Sequence, residues 1–341
     1  MNKNITIGEI ARLAGVSKTT VSRVLSGKTN LVKDETLENI SKIIKEQNYK
    51  PSIIARSLRT KKTKLIGLII ADIENPFYSR VAKGILDEAE KLNYTIIISN
   101  SNHSTSLEKK LLDTFINRQV EGLLLATIKL EENMVRILQK AGIPFILIDT
   151  KTDIESVSYV TSDNYYGGKL AAEYFIQNGH RNIGYLRCDK LSSFRERMLG
   201  FKKTLQQNSL NHDYEVSLEE ITCIGKIFSD LKTLIRDEKI TAFFAGNDYI
   251  AIQVLKYLTN ELKLTVPEDL SLIGYDNISI SSAAMVPLTT IMQPKYSMGK
   301  IAFEQLMQLI NDNQIKGTAK IVFKPELLER KSVKKINCNK G

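Results

Sequence analysis

The chain has 341 residues, 43% of them hydrophobic and 25% charged, so it is long enough for two or three domains with sizeable cores. No apolar run approaches the roughly 18 residues of a membrane span, and no signal-peptide core follows the N-terminus. We therefore expect a cytoplasmic protein with no membrane partner. Three cysteines without a C-x-x-C pair and three scattered histidines favour free thiols and give no support to a metal site.

The positive charge is concentrated at one end of the chain. Residues 1–64 carry 14 Lys and Arg against five Asp and Glu, a net charge of +9, whereas the whole chain has a net charge of +10. An excess that served only solubility would be spread more evenly. The asymmetry indicates a polyanion partner for the N-terminal segment, with a solvated basic tail as the alternative.

The triplet Gly27-Lys28-Thr29 has the ending of a phosphate-binding P-loop. A P-loop needs a second glycine at the position where this chain has Ser22. A P-loop also follows a strand, whereas the residues before Gly27 have helical spacing. We therefore exclude nucleotide binding at this triplet.

Residues 6–26 have the pattern of two short helices joined by a glycine turn. Thr6 and Glu9 have the spacing of a capping box, apolar residues follow at helical intervals, and Gly15 ends this first helix. Ser17 can cap a second helix, whose apolar face includes Val21. A third amphipathic helix follows residue 34. The spacing predicts a helix-turn-helix in a compact three-helix unit.

The opposite face of the second helix is polar and cationic. Lys18, Thr19, Ser22 and Arg23 lie there, near the N-terminal end that reaches base edges in a major groove. Arg23 can donate two hydrogen bonds to guanine, worth about 1–3 kcal/mol of discrimination. Lys18 and Thr19 suit bases and phosphates equally, and the alternative is a solvated helix face.

Four segments carry a family resemblance: Thr6-Ile7, Ile10-Ala11, Ala14-Gly15-Val16-Ser17 and Thr20-Val21-Ser22-Arg23-Val24-Leu25. With the hinge-like segment Asn48–Leu58, they resemble the DNA-binding end of the LacI/GalR family of bacterial regulators. The resemblance implies that Ala55, Arg56 and Leu58 lie in the minor groove, where Leu58 wedges a base step. The expected DNA-binding residues are Thr6, Ser17, Lys18, Thr19, Ser22, Arg23, Tyr49, Ala55, Arg56 and Leu58.

The hinge segment is too short to be helical by itself. A helix over residues 52–59 has about two turns, and isolated helices of that length are unstable in water. We predict that it forms only when DNA and a partner chain are present. The resulting domain boundaries are 1–50 for the helix-turn-helix domain, 51–64 for the hinge and linker, and 65–341 for the remainder.

After residue 64, short apolar runs alternate with amphipathic helices, the pattern of parallel α/β layers. The runs are too many for one simple sheet, so two similar lobes are expected. The predicted strands are Leu65–Ala71, Thr95–Ser99, Gly122–Ala126, Pro144–Ile148, Ile183–Leu186, Ala242–Ala245 and Ser271–Gly274. The expected fold is an N-terminal all-α helix-turn-helix domain followed by an α/β two-lobed core.

Polar residues follow several of these strands, and parallel α/β sheets bind ligands at such strand ends. The segments Asp72–Tyr78, Gly246-Asn247-Asp248, Ile273–Asn277 and Leu288–Pro294 also resemble the LacI/GalR family. The resemblance implies a periplasmic-binding-protein-like core, with lobe one over about 65–160 and 293–320 and lobe two over about 161–292 and 321–330. It implies an effector between the lobes that contacts Phe77, Asp149, Arg197, Asn247 and Asp276. Asp248 and Asn277 are expected to serve as caps or turn residues.

These features predict a transcriptional regulator, a repressor that binds a palindromic double-stranded DNA operator as a homodimer. The effector is expected to be a sugar or a sugar acid or phosphate, and Lys295 near a cleft motif suggests an anion. The C-terminal tail has no leucine heptad, so a dimer rather than a tetramer is expected. No cofactor is expected, and no enzyme motif is present. The alternative is a solute-binding protein of a transport system.

Overall fold

The computed structural model describes residues 5–27, 29–49, 62–126, 130–188, 192–211, 213–218, 227–311 and 318–336. The chain divides into two compact units, Met1–Thr63 and Lys64–Gly341. Within the described parts, no helix has the length and apolarity that crossing a bilayer requires. The predicted hinge helix, with Ala55, Arg56 and Leu58, lies outside the described residues.

The first unit contains α1 (Ile7–Leu13), α2 (Lys18–Leu25) and α3 (Asp34–Glu46) around a small core. The predicted capping box of α1 is confirmed, because the Thr6 N–H donates to Glu9 Oε2 at 2.6 Å and the Thr6 hydroxyl accepts the Glu9 N–H. Ser17 Oγ accepts the Thr20 N–H at 3.1 Å and caps α2. Together these two caps fix the residues at which the two helices of the helix-turn-helix begin.

The second unit is built on two six-stranded sheets, in the orders β11-β5-β4-β3-β1-β2 and β12-β10-β9-β8-β6-β7. Neighbouring strands are parallel except for the β10–β12 pair, which is antiparallel. The strands are β1 Leu65–Ile70, β2 Thr95–Asn100, β3 Gly122–Leu125, β4 Phe145–Ile148, β5 Ser158–Ser162, β6 Ile183–Cys188, β7 Glu215–Leu218, β8 Ala242–Ala245, β9 Ser271–Asp276, β10 Thr289–Met292, β11 Lys320–Phe323 and β12 Glu326–Leu328.

Helices connect the strands and cover the sheets, and four apolar clusters fill the space between them. Each sheet with its helices makes one lobe. The helices are α4 Pro76–Lys91, α5 Thr105–Asn117, α6 Glu132–Ala141, α7 Asn164–Gln177, α8 Ser192–Gln207, α9 Ile227–Asp237, α10 Asp248–Asn260 and α11 Lys295–Asn311.

The chain passes between the lobes three times: after β5, after β10 and after β11. The last passage corrects a boundary expected from the sequence. Lobe one was expected to end at about residue 320, but all of Lys320–Phe323 belongs to the first sheet, where it pairs in parallel with β5. The chain therefore enters the second lobe at residues 324–325.

Helices α7 and α8 of the second lobe pack at very close range through two glycines. A Cβ on Gly168 would overlap the carbonyl oxygen of Arg197, and a Cβ on Gly200 would overlap the carbonyl oxygen of Tyr165. Because glycine has no side chain, the two backbones can approach this closely. This packing sets the position of Arg197 on α8.

Candidate functional sites

The first site is the α2 polar face, formed by Lys18, Thr19, Ser22 and Arg23. Lys18, Thr19 and Arg23 are exposed and Ser22 is half-buried, whereas Val21 on the other side of the helix is fully buried. The amphipathic pattern thus buries the apolar side in the three-helix core and presents cations and hydroxyls to solvent.

The three other described residues predicted to bind DNA have structural roles of their own. Thr6 and Ser17 are the N-terminal caps of α1 and α2. Tyr49 is half-buried and packs against the three-helix core. Their contacts with DNA stay predictions.

The second site is the inter-lobe cleft, a narrow space in the second unit. The structure brings all five residues that were predicted to contact an effector together around it. The lining residues are Asn75, Phe77, Tyr78, His103 and Asp149 from the first lobe, and Ser193, Phe194, Arg197, Asn247 and Asp276 from the second.

Strand ends bring these side chains together. Asp149 directly follows β4, Asn247 closely follows β8, and Asp276 is the last residue of β9. Because the strands within each sheet run parallel there, their carboxyl ends share one edge, and the two edges face each other across the cleft.

Two of the carboxylate residues have unusual backbone conformations. Asp149 has φ of 62° and Asp276 has φ of 102°, both in the left-handed region that non-glycine residues avoid. Such conformations cost of order 1–3 kcal/mol and cluster at functional sites. The observation supports a binding role for both residues.

Arg197 is the central cation of the cleft and is only 2% exposed. Its Nε donates to Asn164 Oδ1 at 2.8 Å, and Nη1 donates to the Gly246 carbonyl oxygen at 2.6 Å. Nη2 lies 3.7 Å from Asp276 Oδ1, and the guanidinium lies 3.7 Å from the centre of the Tyr275 ring. Arg197 is therefore held in one orientation by four neighbours.

Burial changes the charge states of the two cleft carboxyls. Loss of hydration raises the pKa of Asp149 to about 7, while the positive charge of Arg197 opposes the rise and Asp276 adds to it. Loss of hydration also raises the pKa of Asp276, against the stabilising charges of Arg197 and Lys295. A carboxyl with a pKa near neutrality can accept or donate a hydrogen bond at physiological pH.

Phe77 and Asn247 each have a structural role as well as a place in the lining. Phe77 is 2% exposed, belongs to the core of the first lobe and makes an edge contact with Tyr78 at 5.1 Å. Asn247 caps α10, since its Oδ1 accepts the Ile250 N–H at 2.9 Å.

Asp248 serves the architecture, but as the first residue of α10 and not as the cap or turn residue expected from the sequence, since Asn247 is the cap. Its carboxylate accepts from the Ile278 N–H at 2.9 Å, from the Ser281 hydroxyl at 2.5 Å and from the Thr290 hydroxyl at 2.6 Å. It thereby anchors the segment that follows β9. In that segment, Asn277 has φ of 50°.

Lys295, which the sequence suggested as a mark of an anion, lines a second cavity together with Arg80 and Lys83. Its ammonium donates to the carbonyl oxygen of Asp276 and, at 2.8 Å, to that of Asn277. Lys295 is not among the residues that line the cleft. Its charge also stabilises the turn after β9.

Sequence reasoning missed Tyr78, His103, Ser193 and Phe194 as lining residues. His103 follows β2 by three positions and has φ of 54°, so a polar residue soon after a strand was the available signal. Ser193 and Phe194 lie in the first turn of α8, where no comparable signal marks them. Among the described residues, no group of three or more His, Cys, Asp or Glu side chains is placed to hold a metal ion.

Comparisons with known proteins match both units of the chain. Residues 6–52 match the family model described as bacterial regulatory proteins, lacI family, and residues 172–333 match the model described as a periplasmic binding protein-like domain. The HTH-type transcriptional repressor PurR of Vibrio vulnificus (strain CMCP6) is 36% identical over 337 residues, which cover 97% of this chain and 99% of the relative.

Two solved structures extend the comparison. A lac repressor dimer bound to operator and the anti-inducer ONPF has a TM-score of 0.82 at 25% identity, covering 97% of this chain and all of that chain. A LacI family regulator from Enterococcus faecium with bound ribose has a TM-score of 0.72 at 28% identity, covering 80% of this chain and all of that chain. The chain has a helix-turn-helix unit and a two-lobed core, and its similarity to a transcriptional repressor extends over almost the full length of both proteins. The chain therefore belongs to the LacI family of bacterial regulatory proteins.

Proposed function

We propose that the chain is a repressor that binds a palindromic operator as a homodimer and that a small hydroxyl-rich molecule in the inter-lobe cleft controls it. The observation that carries DNA binding is the exposed α2 polar face on the unit that holds nearly all of the net charge. A two-fold dimer presents two copies of α2, which matches a palindrome. Such a regulator acts in the cytoplasm, on the chromosome.

The composition of the cleft supports the effector. Carboxylates, an arginine and an aromatic edge are the groups that recognise hydroxyl-rich ligands, and the related regulator from Enterococcus faecium holds ribose. The proposed contacts are Phe77, Asp149, Arg197, Asn247 and Asp276. A transport solute-binding protein would have a similar core but no use for a basic helix-turn-helix.

Substitution on α2 tests operator binding. We expect Arg23→Ala to weaken binding to an operator selected from a random duplex pool by about 5- to 150-fold, the 1–3 kcal/mol of a two-bond contact with guanine. Fluorescence anisotropy at fixed salt measures it, because phosphate contacts make affinity strongly dependent on salt.

Lys42→Ala is the matched control. Lys42 is an exposed cation on α3 that forms an ion pair with Glu46 at 3.9 Å, so its loss removes the same charge from another face. We expect it to reduce affinity by less than about threefold, because exposed charges contribute little. Equal losses from both variants would show that net charge, and not the α2 polar face, carries binding.

A further inference from the structure

A second cavity of the core, the α4–α11 cavity, lies beside the first turns of helices α4 and α11. Its volume is about 600 Å³, within the range of small-molecule sites. It shares no described lining residue with the inter-lobe cleft. We propose that the α4–α11 cavity binds a small anion of the phosphate class that also carries a hydroxyl, at a site separate from that of the effector.

The lining of the α4–α11 cavity is cationic. Arg80 and Lys83 lie three positions apart on α4, which places them on one face of that helix, and Lys295 is the first residue of α11. Among the described residues of the lining there is no Asp or Glu. Asp87, which does not line the cavity, forms an ion pair with Lys83. Arg80 and Lys295 are therefore the main positive charges that a ligand would meet.

Arg80 is the least committed of these charges. Its guanidinium lies 5.1 Å from the centre of the Tyr296 ring, and it forms no hydrogen bond or ion pair with any described residue. The Tyr296 hydroxyl donates to Asp87 Oδ2 at 3.0 Å, which holds the ring beside the guanidinium. A guanidinium with free N–H donors matches the geometry of a phosphate group, to which it can donate two parallel hydrogen bonds.

Lys295 adds a buried cation at the start of α11. Its ammonium donates to two carbonyl oxygens, which leaves one of its three N–H groups for a ligand. Loss of hydration lowers the pKa of Lys295, and the charge of Arg80 lowers it further, against the carboxylates of Asp276 and Asp248. The two cations thus repel each other, and an anion bound to both would relieve the repulsion. The first three residues of α11 all line the cavity, and helix N-termini favour anions.

Gln293 adds an observation that does not depend on charge. It lines the α4–α11 cavity and is 2% exposed. Its Nε2 donates to Asp276 Oδ1 at 2.7 Å, whereas its Oε1 is buried and has no hydrogen-bond partner among the described residues. A buried acceptor without a donor is costly, so the cavity favours a ligand that brings an O–H to this oxygen. Inorganic phosphate and hydroxylated phosphate monoesters combine negative charge with an O–H, whereas sulfate has the charge without the proton.

Calorimetric titration of the full-length protein with inorganic phosphate, glycerol 3-phosphate and sulfate, at neutral pH and fixed ionic strength, tests the proposal. We expect at least one of the two phosphates to bind at least about ten times more tightly than sulfate, because sulfate cannot donate to Gln293 Oε1. The tighter of the two phosphates shows whether the cavity prefers the free ion or an ester. We expect Arg80→Gln to weaken phosphate binding by at least about tenfold, because it removes charge-assisted hydrogen bonds.

Arg136→Gln is the matched control, since Arg136 is an exposed arginine on α6 of the same lobe and pairs with Glu132 at 3.1 Å. We expect it to leave phosphate affinity unchanged. Asp149→Asn distinguishes the two cavities, because Asp149 lines the cleft and not the α4–α11 cavity. We expect no change in phosphate affinity from Asp149→Asn, whereas an anion bound in the cleft would bind severalfold more tightly once that carboxyl is removed.

Three results would overturn the proposal: no binding of either phosphate at millimolar concentration, equal affinity for phosphate and sulfate, or equal losses from Arg80→Gln and Arg136→Gln. Tighter phosphate binding by Asp149→Asn would also overturn it, because the anion would then lie in the cleft. The first three results would leave the sugar proposed for the cleft untouched, since no residue of its proposed site is changed.

Discussion

At the scale of single residues, the fully buried His180 links three parts of the second lobe. Its Nε2 lies 3.1 Å from the Lys334 carbonyl oxygen and its Nδ1 lies 2.9 Å from Thr241 Oγ1. Since a carbonyl can only accept, Nε2 carries the proton, and in the neutral ring Nδ1 is an acceptor for the Thr241 hydroxyl, which also lies 3.2 Å from the Asn182 carbonyl oxygen. The neutral ring satisfies both neighbours, and loss of hydration lowers the pKa of His180 from 6.5 to about 4.

This pKa predicts a stability that depends on pH. The unfolded chain takes up a proton at His180 below about pH 6.5, whereas the folded protein resists protonation until about pH 4. The contribution of His180 is therefore complete above pH 6.5 and is lost as the pH falls towards 4. When the pH falls from 7.5 to 5.0, we expect protonation of His180 in the unfolded chain to lower the free energy of unfolding by about 2 kcal/mol.

Urea unfolding of the wild type and of His180→Gln at both pH values measures this effect. Asp149 and Asp248, with pKa values raised to about 7, act in the opposite direction, because they favour the folded state as the pH falls below 7. Both proteins share those groups, so the difference between their pH dependences isolates His180. Parallel pH dependences would show that His180 does not titrate as described.

At the scale of secondary-structure elements, the contact between α7 and α8 sets the position of the effector site. Gly200→Ala places a methyl group against the carbonyl oxygen of Tyr165, so α8 must move away from α7. We expect a loss of about 1–3 kcal/mol in the free energy of unfolding. Because Arg197 lies on the same helix, we also expect effector affinity to fall at least tenfold.

Leu199→Ala is the matched control, since Leu199 is the preceding residue of α8 and is 58% exposed. Thermal unfolding and ligand titration of both variants measure the two effects. If Gly200→Ala lost stability but kept full affinity, the close helix contact would not be what positions Arg197.

The same scale shows where prediction from sequence succeeds. Strands made of apolar runs, such as β1 and β8, were predicted within one or two residues, because burial on both faces requires such runs. Strands rich in hydroxyls were missed. β5 and β10 are buried although they contain Ser and Thr, since tertiary hydrogen bonds satisfy those hydroxyls: Ser158 Oγ accepts the Ala319 N–H, and the Thr290 hydroxyl donates to Asp248.

Prediction of the inter-lobe cleft from sequence has the same limit. Asp149, Asn247 and Asp276 each end or follow a strand, which places them near one edge of a sheet. The resemblance to the LacI/GalR family, and not chain order, selected them as contacts of the effector. The orientation of Arg197 depends on glycine contacts between two helices, and the carbonyl partners of Lys295 depend on the turn after β9. Both are tertiary relations that no local pattern encodes.

At the scale of the whole molecule, the charge and the cleft belong to different units. Nearly all of the net charge lies in residues 1–64, and the inter-lobe cleft lies in the unit Lys64–Gly341. Control of DNA binding by an effector therefore requires a free-energy coupling between the two units. Such coupling is reciprocal, so the operator must change effector affinity by the same factor as the effector changes operator affinity.

A titration with and without operator detects this coupling. We expect saturating operator to change the dissociation constant of the full chain for a sugar that binds the cleft by at least about fivefold. That factor is the lower end of the range typical of coupled sites. A variant that begins at Lys64 should bind this sugar with the affinity of the free full chain. Operator should not change that affinity, because the variant lacks the α2 polar face. A full chain that responded no more than this variant would bind DNA and effector independently, and the cleft would then not control the operator.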